Sequence, residues 1–168
     1  ILSFSLYILV GFIKRDIRSS EASLKYILLG AFSSATLLYG ISFVYGVTGS
    51  TYYDQIAAAL AERSSDTDAG IIVGFMLILA GVGFKVSAAP FHMWAPDAYE
   101  GAPLPITGFL STLSKAGGFA LFLRLFTNAF QTDAVEWRWA VAVLAALTMV
   151  VGNLIAIQQR NMKRLVAY

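Results

Sequence analysis

The stretch FKVSAAPFHMWAPDAYEGAPLP, residues 84–105, contains the features that decide the fold of this chain. A strongly apolar run acquires a lysine, then a proline, and then the only histidine of the sequence within two helical turns. Each of these residues is costly in the hydrocarbon of a membrane. The stretch is therefore either the irregular end of a membrane span or a functional site.

The composition places the chain among membrane proteins. Of its 168 residues, 58% are hydrophobic and 13% are charged, and the mean hydropathy is +0.70; globular domains carry about 25% charged residues. The net charge of +2 is too small to indicate a nucleic-acid partner, and the lack of cysteine excludes disulfides and thiolate metal sites. Ile1 opens inside an apolar run without a signal-peptide pattern, so we expect a fragment that begins upstream and also stops abruptly at Tyr168.

Five apolar segments are candidates for membrane-spanning helices, because a bilayer core needs roughly 20 apolar residues in helical form. Four of them approach or exceed this length: residues 26–47, 70–89, 104–126 and 139–157. Residues 1–13 are shorter and are interpreted as a partial span. Backbone polar groups in lipid must be satisfied internally. The sequence therefore predicts an all-α polytopic membrane protein with a single membrane domain, residues 1–168, whose third span is broken near Pro90.

Basic residues in the connections predict the orientation. They concentrate in residues 14–25 and 158–168, whereas the connections 48–69 and 127–138 are mainly acidic. Cytoplasmic connections carry the excess of lysine and arginine, so we place both basic segments on the cytoplasmic side. Alternation of the spans puts the turn at 90–103 on the same side. The basic run QQRNMKR could be an RNA-binding patch, but at the foot of a span it is better explained as a topology signal.

Lys115 is a charged residue near the middle of the 104–126 span. Even on the lower scales, a lysine at this depth costs roughly 2.5–3.5 kcal/mol. It is therefore either a structural lysine paired with a neighbouring helix or part of an ion or proton relay. Ionisable groups inside membranes favour the relay.

Lys85 lies late in its apolar run, and Pro90 determines how it is interpreted. A proline inside a helix cannot bond the carbonyl four residues back, here that of Val86. If the span continues beyond the proline, the helix is broken beside Lys85, as in transporters whose unwound backbone lines the working site. If the helix instead ends at Ala89, Lys85 extends to the membrane surface.

His92 lies beyond the predicted break. A lone histidine is often a hydrogen-bonded core residue, and with no second histidine or acidic cluster on its face it predicts no metal site. Its imidazole titrates near neutral pH, and burial disfavours the charged form of a lysine. We therefore predict that His92 passes protons between Lys85 and Lys115.

Other polar residues have simpler interpretations. Asp97 and Glu100 in the turn PDAYEGAPLP resemble a catalytic carboxylate pair, but such residues more often cap a helix or pair with a partner. Ser19 or Ser20 is expected to cap the second span, and Arg124 to anchor the end of its own. The sequence contains no nucleophile–base pair, metal cluster or phosphate loop, so an active site within this chain has the least support.

Residues 83–126, GFKVSAAPFHMWAPDAYEGAPLPITGFLSTLSKAGGFALFLRLF, closely resemble the antiporter-like membrane subunits of respiratory complex I. Mrp-type sodium/proton antiporters share the core pattern PxHxWxPDA. The continuation YEGAPLP is most similar to subunit N, which is called subunit 2 in mitochondria, and to its counterpart in the chloroplast and cyanobacterial enzyme. SSEASLKYILLGAFSSATLLYG and GNLIAIQQRNMKRLVAY fit the same group of sequences.

This resemblance implies a larger antiporter-like bundle of two inverted repeats, each with one broken helix. Lys85, His92 and Lys115 match the proton relay of the family, and Lys25 matches a further lysine at the foot of the second span. A glutamate that tunes the first lysine in the family would lie just upstream of Ile1.

The resemblance also implies a function, which is proton translocation by a membrane subunit of an NADH (or related donor):quinone oxidoreductase. This chain would hold no cofactor and do no redox chemistry, since flavin, iron–sulfur clusters and quinone are expected in partner subunits. Its partners would be other membrane subunits and the lipid bilayer, in a hetero-oligomer without nucleic acid. The implied location is a bacterial inner membrane, or a mitochondrial inner or thylakoid membrane. An Mrp-type cation/proton antiporter subunit and a purely structural subunit are the alternatives.

Overall fold

The computed structural model describes residues 2–62, 69–130 and 137–168, and within them the chain is helical without strands. The helices are α1 (Leu2–Val10), α2 (Ile17–Thr48), α3 (Tyr53–Glu62), α4 (Ala69–Val86), α5 (Trp94–Gly101), α6 (Leu104–Ser111), α7 (Leu113–Asn128), α8 (Trp137–Ile157) and α9 (Met162–Ala167). Four helical stretches are long and apolar enough to cross a membrane: α2, α4, α6 with α7, and α8. The predicted all-α membrane class is confirmed. The parts of the acidic connections at 63–68 and 131–136 lie outside the described residues.

Helix α2 contains the predicted 26–47 span but begins well before it. Asp16 is its N-cap, and its carboxylate accepts a hydrogen bond from the Arg18 amide at 3.0 Å. The prediction that Ser19 or Ser20 caps this helix is wrong, because the Asp16 side chain already accepts an amide of the first turn. Ser19 is fully buried and donates instead to the Val10 carbonyl on α1 at 2.9 Å.

Helices α2 and α4 pack closely along their middle sections. A Cβ atom at Gly40 would lie 2.8 Å from both the Gly74 carbonyl oxygen and the Ile78 nitrogen. On α4, a Cβ atom at Gly81 would lie 2.6 Å from Leu37 Cβ. Small residues at such positions let helix backbones approach in lipid, where van der Waals packing drives association.

The three segments predicted to share one side meet at one end of the bundle. Helix α5 packs against the first turns of α2, and α9 packs against α5. Arg18 on α2 and Arg164 on α9 both form ion pairs with Glu100 on α5. This end has a core of apolar side chains from α1, α2 and α5, including Tyr7, Tyr26 and Trp94.

A second apolar core fills the opposite end, where α3, α4 and α7 meet. Phe75 packs edge-on against Phe126 and Phe130, with ring centroids 5.6 and 5.4 Å apart. Helix α8 packs partly buried side chains against the second core only, and it has no fully buried residue. In the sequence, the broken segment between α4 and α5 follows the residues that α4 contributes to the second core and precedes those that α5 contributes to the first.

Candidate functional site

Helix α4 ends four residues before Pro90 instead of continuing to it. Its last residue is Val86, and Ser87 follows in the left-handed conformation with φ of 58°. Residues 88–93 form turns, with a cis bond between Ala89 and Pro90, before α5 begins. The helix therefore ends at the residue whose carbonyl a proline four positions later cannot bond. The helix ends three residues before Ala89, the end that the other interpretation assumed.

Several backbone groups at this break form hydrogen bonds outside the regular helical pattern. The Phe84 carbonyl accepts from the Ser87 amide at 3.1 Å and from the Trp94 indole N–H at 2.9 Å. The Ala89 amide donates to the Thr148 hydroxyl at 3.0 Å. Irregular backbone at membrane depth is tolerated only when such groups are satisfied within the protein or by a wet cavity. Side chains from α5 and α8 thus stabilise the break.

Lys115 on α7 points at the break. Its ammonium donates a long hydrogen bond of 3.4 Å to the Val86 carbonyl, the group that Pro90 leaves without a helical donor. The same ammonium lies 5.9 Å from the centroid of the Tyr99 ring, within the range of a cation–π interaction. The lysine side chain is turned into the bundle rather than toward lipid headgroups.

Lys85 occupies the last turn of α4, directly before the same carbonyl. Its ammonium donates to the Ser3 hydroxyl on α1 at 2.9 Å, and its side chain is half-buried. The neighbour of this lysine across the bundle is thus a hydroxyl on α1. The two lysines reach the unwound backbone from different helices. Lys85 directly precedes Val86 in the sequence, and Lys115 donates a hydrogen bond to the Val86 carbonyl.

His92 lies in the turn between α4 and α5. Its Nδ1 atom is buried, and its ring packs edge-on against the Tyr168 ring with centroids 5.6 Å apart. Burial lowers the pKa of His92 below its usual value, and the nearby Lys115 ammonium lowers it further. The imidazole is therefore neutral at neutral pH and able to accept a proton. His92 also borders a cavity of about 470 Å³ that Asp97 and Arg164 line as well.

Lys25 is placed differently from the other predicted site residues. Its ammonium lies 2.7 Å from a Glu21 oxygen and 3.1 Å from an Asp97 oxygen, and its side chain is 47% exposed. Asp97 also pairs with Arg164, which forms a further ion pair with Glu100 at 3.0 Å. Lys25 thus belongs to a charged cluster at the end of the bundle, whereas Lys85 and Lys115 lie at the break. Asp97 and Glu100 each form ion pairs with basic residues, as the simpler interpretation of the turn expected.

Three contact residues of the site were not identified from the sequence: Ser3, Tyr99 and Thr148. Ser3 and Thr148 are 82 and 59 positions away from their partners, so local spacing carries no signal for the pairing. Thr148 is, however, a polar residue within a continuous apolar span, and that pattern could have marked it. Among the described residues, no group of three His, Cys, Asp or Glu side chains is arranged to hold a metal ion.

The family described as "NADH:quinone oxidoreductase/Mrp antiporter, TM" matches the chain over residues 1–168. The chain belongs to this family of transmembrane antiporter-like proteins. The predicted resemblance is confirmed, and with four apolar helices of membrane-spanning length the chain is an integral membrane protein.

Two curated relatives of the antiporter-like chain are quinone oxidoreductase subunits by name. NAD(P)H-quinone oxidoreductase subunit 2 of Nostoc punctiforme is 51% identical over 99% of this chain and 32% of the relative. NADH-quinone oxidoreductase subunit N of Desulforamulus reducens is also 51% identical, over 100% of this chain and 35% of the relative. The chain therefore spans about a third of the length of the relatives it matches.

A solved structure supports the same fold. A chain of respiratory complex I from Thermus thermophilus superposes with a TM-score of 0.80 at 40% sequence identity. The match covers 99% of the antiporter-like chain and 34% of the solved one. The arrangement of helices described above is thus shared with a membrane subunit of a respiratory complex.

Proposed function

We propose that this chain is part of a proton-translocating membrane subunit of an NADH (or related donor):quinone oxidoreductase. The observation that carries the proposal is the hydrogen bond from the Lys115 ammonium to the Val86 carbonyl, where α4 is broken. It joins an intramembrane charge to unwound backbone, an arrangement found in transporters. The names of the relatives that are 51% identical support the quinone oxidoreductase context.

In this proposal, Lys85, His92 and Lys115 form a proton relay. Lys85 holds a proton on its ammonium nitrogen beside the Ser3 hydroxyl, and a change of charge nearby releases it. The neutral imidazole of His92 accepts the proton, directly or through bound water, and passes it to the Lys115 amine, which forms when the Lys115 ammonium has released its own proton onward along the path. Each step moves one proton from nitrogen to nitrogen, and no bond to carbon changes.

Lys25 is proposed to act at the uptake end of this path. Its partner Asp97, together with Arg164, lines both the charged cluster and the cavity that borders His92. A proton that reaches the cluster would therefore lie at a cavity that the imidazole also lines. Lys25 helps to hold Asp97 at this position through their ion pair.

The proposed partners are other membrane subunits in a hetero-oligomer within the lipid bilayer. Flavin, iron–sulfur clusters and quinone would be bound by those partner subunits, and the chemistry they supply is electron transfer. This chain would respond to that chemistry only through charge, since its own site contains proton-exchanging groups and hydroxyls.

Proton pumping in membrane vesicles tests the proposal. In the full-length subunit within its assembled complex, Lys85→Ala or Lys115→Ala is expected to reduce the pumping rate to near background, because each removes a proton-carrying nitrogen. Lys14→Ala is the matched control, since Lys14 is an exposed lysine in the connection before α2. Pumping at the wild-type rate in both relay variants would end the proposal.

An Mrp-type cation/proton antiporter subunit is the second candidate, because the family description covers both kinds of complex. Copurification of the subunit with iron–sulfur and flavin proteins would favour the oxidoreductase, and sodium-dependent antiport without them would favour the antiporter. A purely structural subunit would behave differently from both. In that case Lys115→Arg would be harmless, and Lys115→Ala would impair assembly as much as transport.

A further inference from the structure

The broken segment is bonded to α8, a helix that carries none of the relay residues. The amide of Ala89, the residue before Pro90, donates to the Thr148 hydroxyl on α8 at 3.0 Å. Ala89 is only 3% exposed. An amide buried at membrane depth has no water to replace a lost partner, so this hydrogen bond ties the broken segment to α8.

The Thr148 hydroxyl is oriented for this task by its own helix. It donates its proton to the Leu144 carbonyl one turn earlier, at 2.7 Å, and its oxygen then accepts from the Ala89 amide. Thr148 lies near the middle of α8, a helix long and apolar enough to span the bilayer. The hydroxyl therefore presents an acceptor to the break at a depth where α8 is otherwise apolar.

The same face of α8 borders the surroundings of His92. Leu147, Val151 and Ile155 line the cavity of about 470 Å³ that also contacts the imidazole. These three side chains are apolar, so they contribute packing but no directional bond. The Thr148 hydroxyl supplies the directional contact between α8 and the turn that carries His92.

We propose that Thr148 is a positioning residue for the proton relay. This inference rests on the proposed function. By fixing the Ala89 amide, Thr148 sets the path of the turn that reaches His92 three residues later, and hence the placement of the imidazole relative to Lys115. Thr148 transfers no proton itself, because its hydroxyl proton is engaged with Leu144.

Two substitutions at this position separate the hydrogen bond from the packing. Thr148→Val replaces the hydroxyl with a methyl group of similar size, and Thr148→Ser retains the hydroxyl. In the full-length subunit within its assembled complex, we expect Thr148→Val to lower the pumping rate about five- to tenfold, the effect of one buried hydrogen bond. Thr148→Ser should restore the wild-type rate, and the amount of assembled subunit should be the same in both.

Thr127→Val is the matched control. Thr127 is an exposed threonine in the last turn of α7, and its hydroxyl bonds the carbonyl four residues back, that of Leu123, at 2.6 Å. This substitution also exchanges a hydroxyl for a methyl group on a membrane-spanning helix, but at the end of the bundle that holds the second apolar core, away from the broken segment. Its pumping rate should equal that of the wild type.

The outcomes distinguish this inference from the proposed function. If the Lys85→Ala and Lys115→Ala variants lose pumping while Thr148→Val pumps normally, the positioning role is overturned and the relay stands. If the lysine variants pump normally, both proposals fail. If Thr148→Val does not assemble, Thr148→Ala is measured instead. Loss of assembly in both variants, with a normal Thr148→Ser, would assign Thr148 a structural role and overturn the inference.

Discussion

His92 shows how the surroundings of one residue set its chemistry. Burial is the larger cause that lowers the pKa of this imidazole, and the Lys115 ammonium adds to it. A proton relay needs a group that accepts a proton and does not keep it. A neutral imidazole next to an ammonium has both properties, because the positive charge on the imidazole is disfavoured by its neighbour.

The lowered pKa of His92 predicts a pH dependence of stability. Since the folded value lies below the ordinary 6.5, the neutral imidazole contributes stability above that pH, and the contribution is lost as pH falls through the folded value. We expect the thermal midpoint of the wild-type protein to decline more steeply below pH 6.5 than that of His92→Gln, which does not titrate. Parallel curves from thermal scans at a series of pH values would contradict this expectation.

Single residues differ in how far the sequence predicts them. Lys115 could be identified because a charge inside an apolar span is rare, and the structure turns it into the bundle at the break. Its contact with the Tyr99 ring could not be predicted, since the two residues lie on separate helices that only the folded bundle brings together. Lys25 also stands out by its position near the foot of a span, but its ion pair with Asp97 joins residues 72 positions apart.

The break after α4 has a local cause, but it is stabilised by contacts with residues distant in the sequence. Pro90 removes the donor for the Val86 carbonyl, and this follows from the sequence alone. The exact end of the helix depends on Ser87, which adopts a positive φ that non-glycine residues seldom occupy. The Val86 carbonyl and the Ala89 amide bond instead to side chains of other helices. The helix ends three residues earlier than the apolar pattern of 70–89 indicates.

The packing of α2 on α4 leads to a prediction with an internal control. Gly40→Ala places a methyl group 2.8 Å from the Gly74 carbonyl oxygen and the Ile78 nitrogen, and these backbone atoms cannot rotate away. The helices must separate, so we expect a loss of roughly 1–3 kcal/mol in the free energy of unfolding. Heat-induced loss of helical circular dichroism in the purified protein measures it.

The control lies on the same helix. A Cβ atom at Gly46 would meet nothing within 4 Å, and alanine is the better helix former by roughly 0.5–1 kcal/mol. Gly46→Ala should therefore leave the thermal midpoint unchanged or raise it slightly. Equal effects of the two substitutions would show that helix propensity, rather than the close contact of α2 with α4, controls stability here.

At the scale of the whole molecule, charge and apolar length divide α2 into two parts. Its 32 residues rise about 48 Å at 1.5 Å per residue, which exceeds a hydrocarbon core of about 30 Å. The excess contains the charged residues of its first turns, which join α5 and α9 in the charged cluster. The sequence predicts which segments share a side from their basic residues, but the ion pairs that join them depend on the folded bundle.

This arrangement predicts which ends of the helices face each side of the membrane. These 168 residues contain no cysteine, so a single cysteine substitution at an exposed position adds a labelling site, and the unsubstituted protein measures the background. We expect Ser20→Cys and Arg160→Cys, both at the basic end, to react with a membrane-impermeant maleimide only in inverted vesicles. Tyr52→Cys, at the opposite end and 72% exposed in the wild type, should react only in intact cells. The reverse pattern would place the charged cluster outside the cytoplasm and remove it as the uptake end of the relay, because the basic segments would then lie on the side to which protons are released.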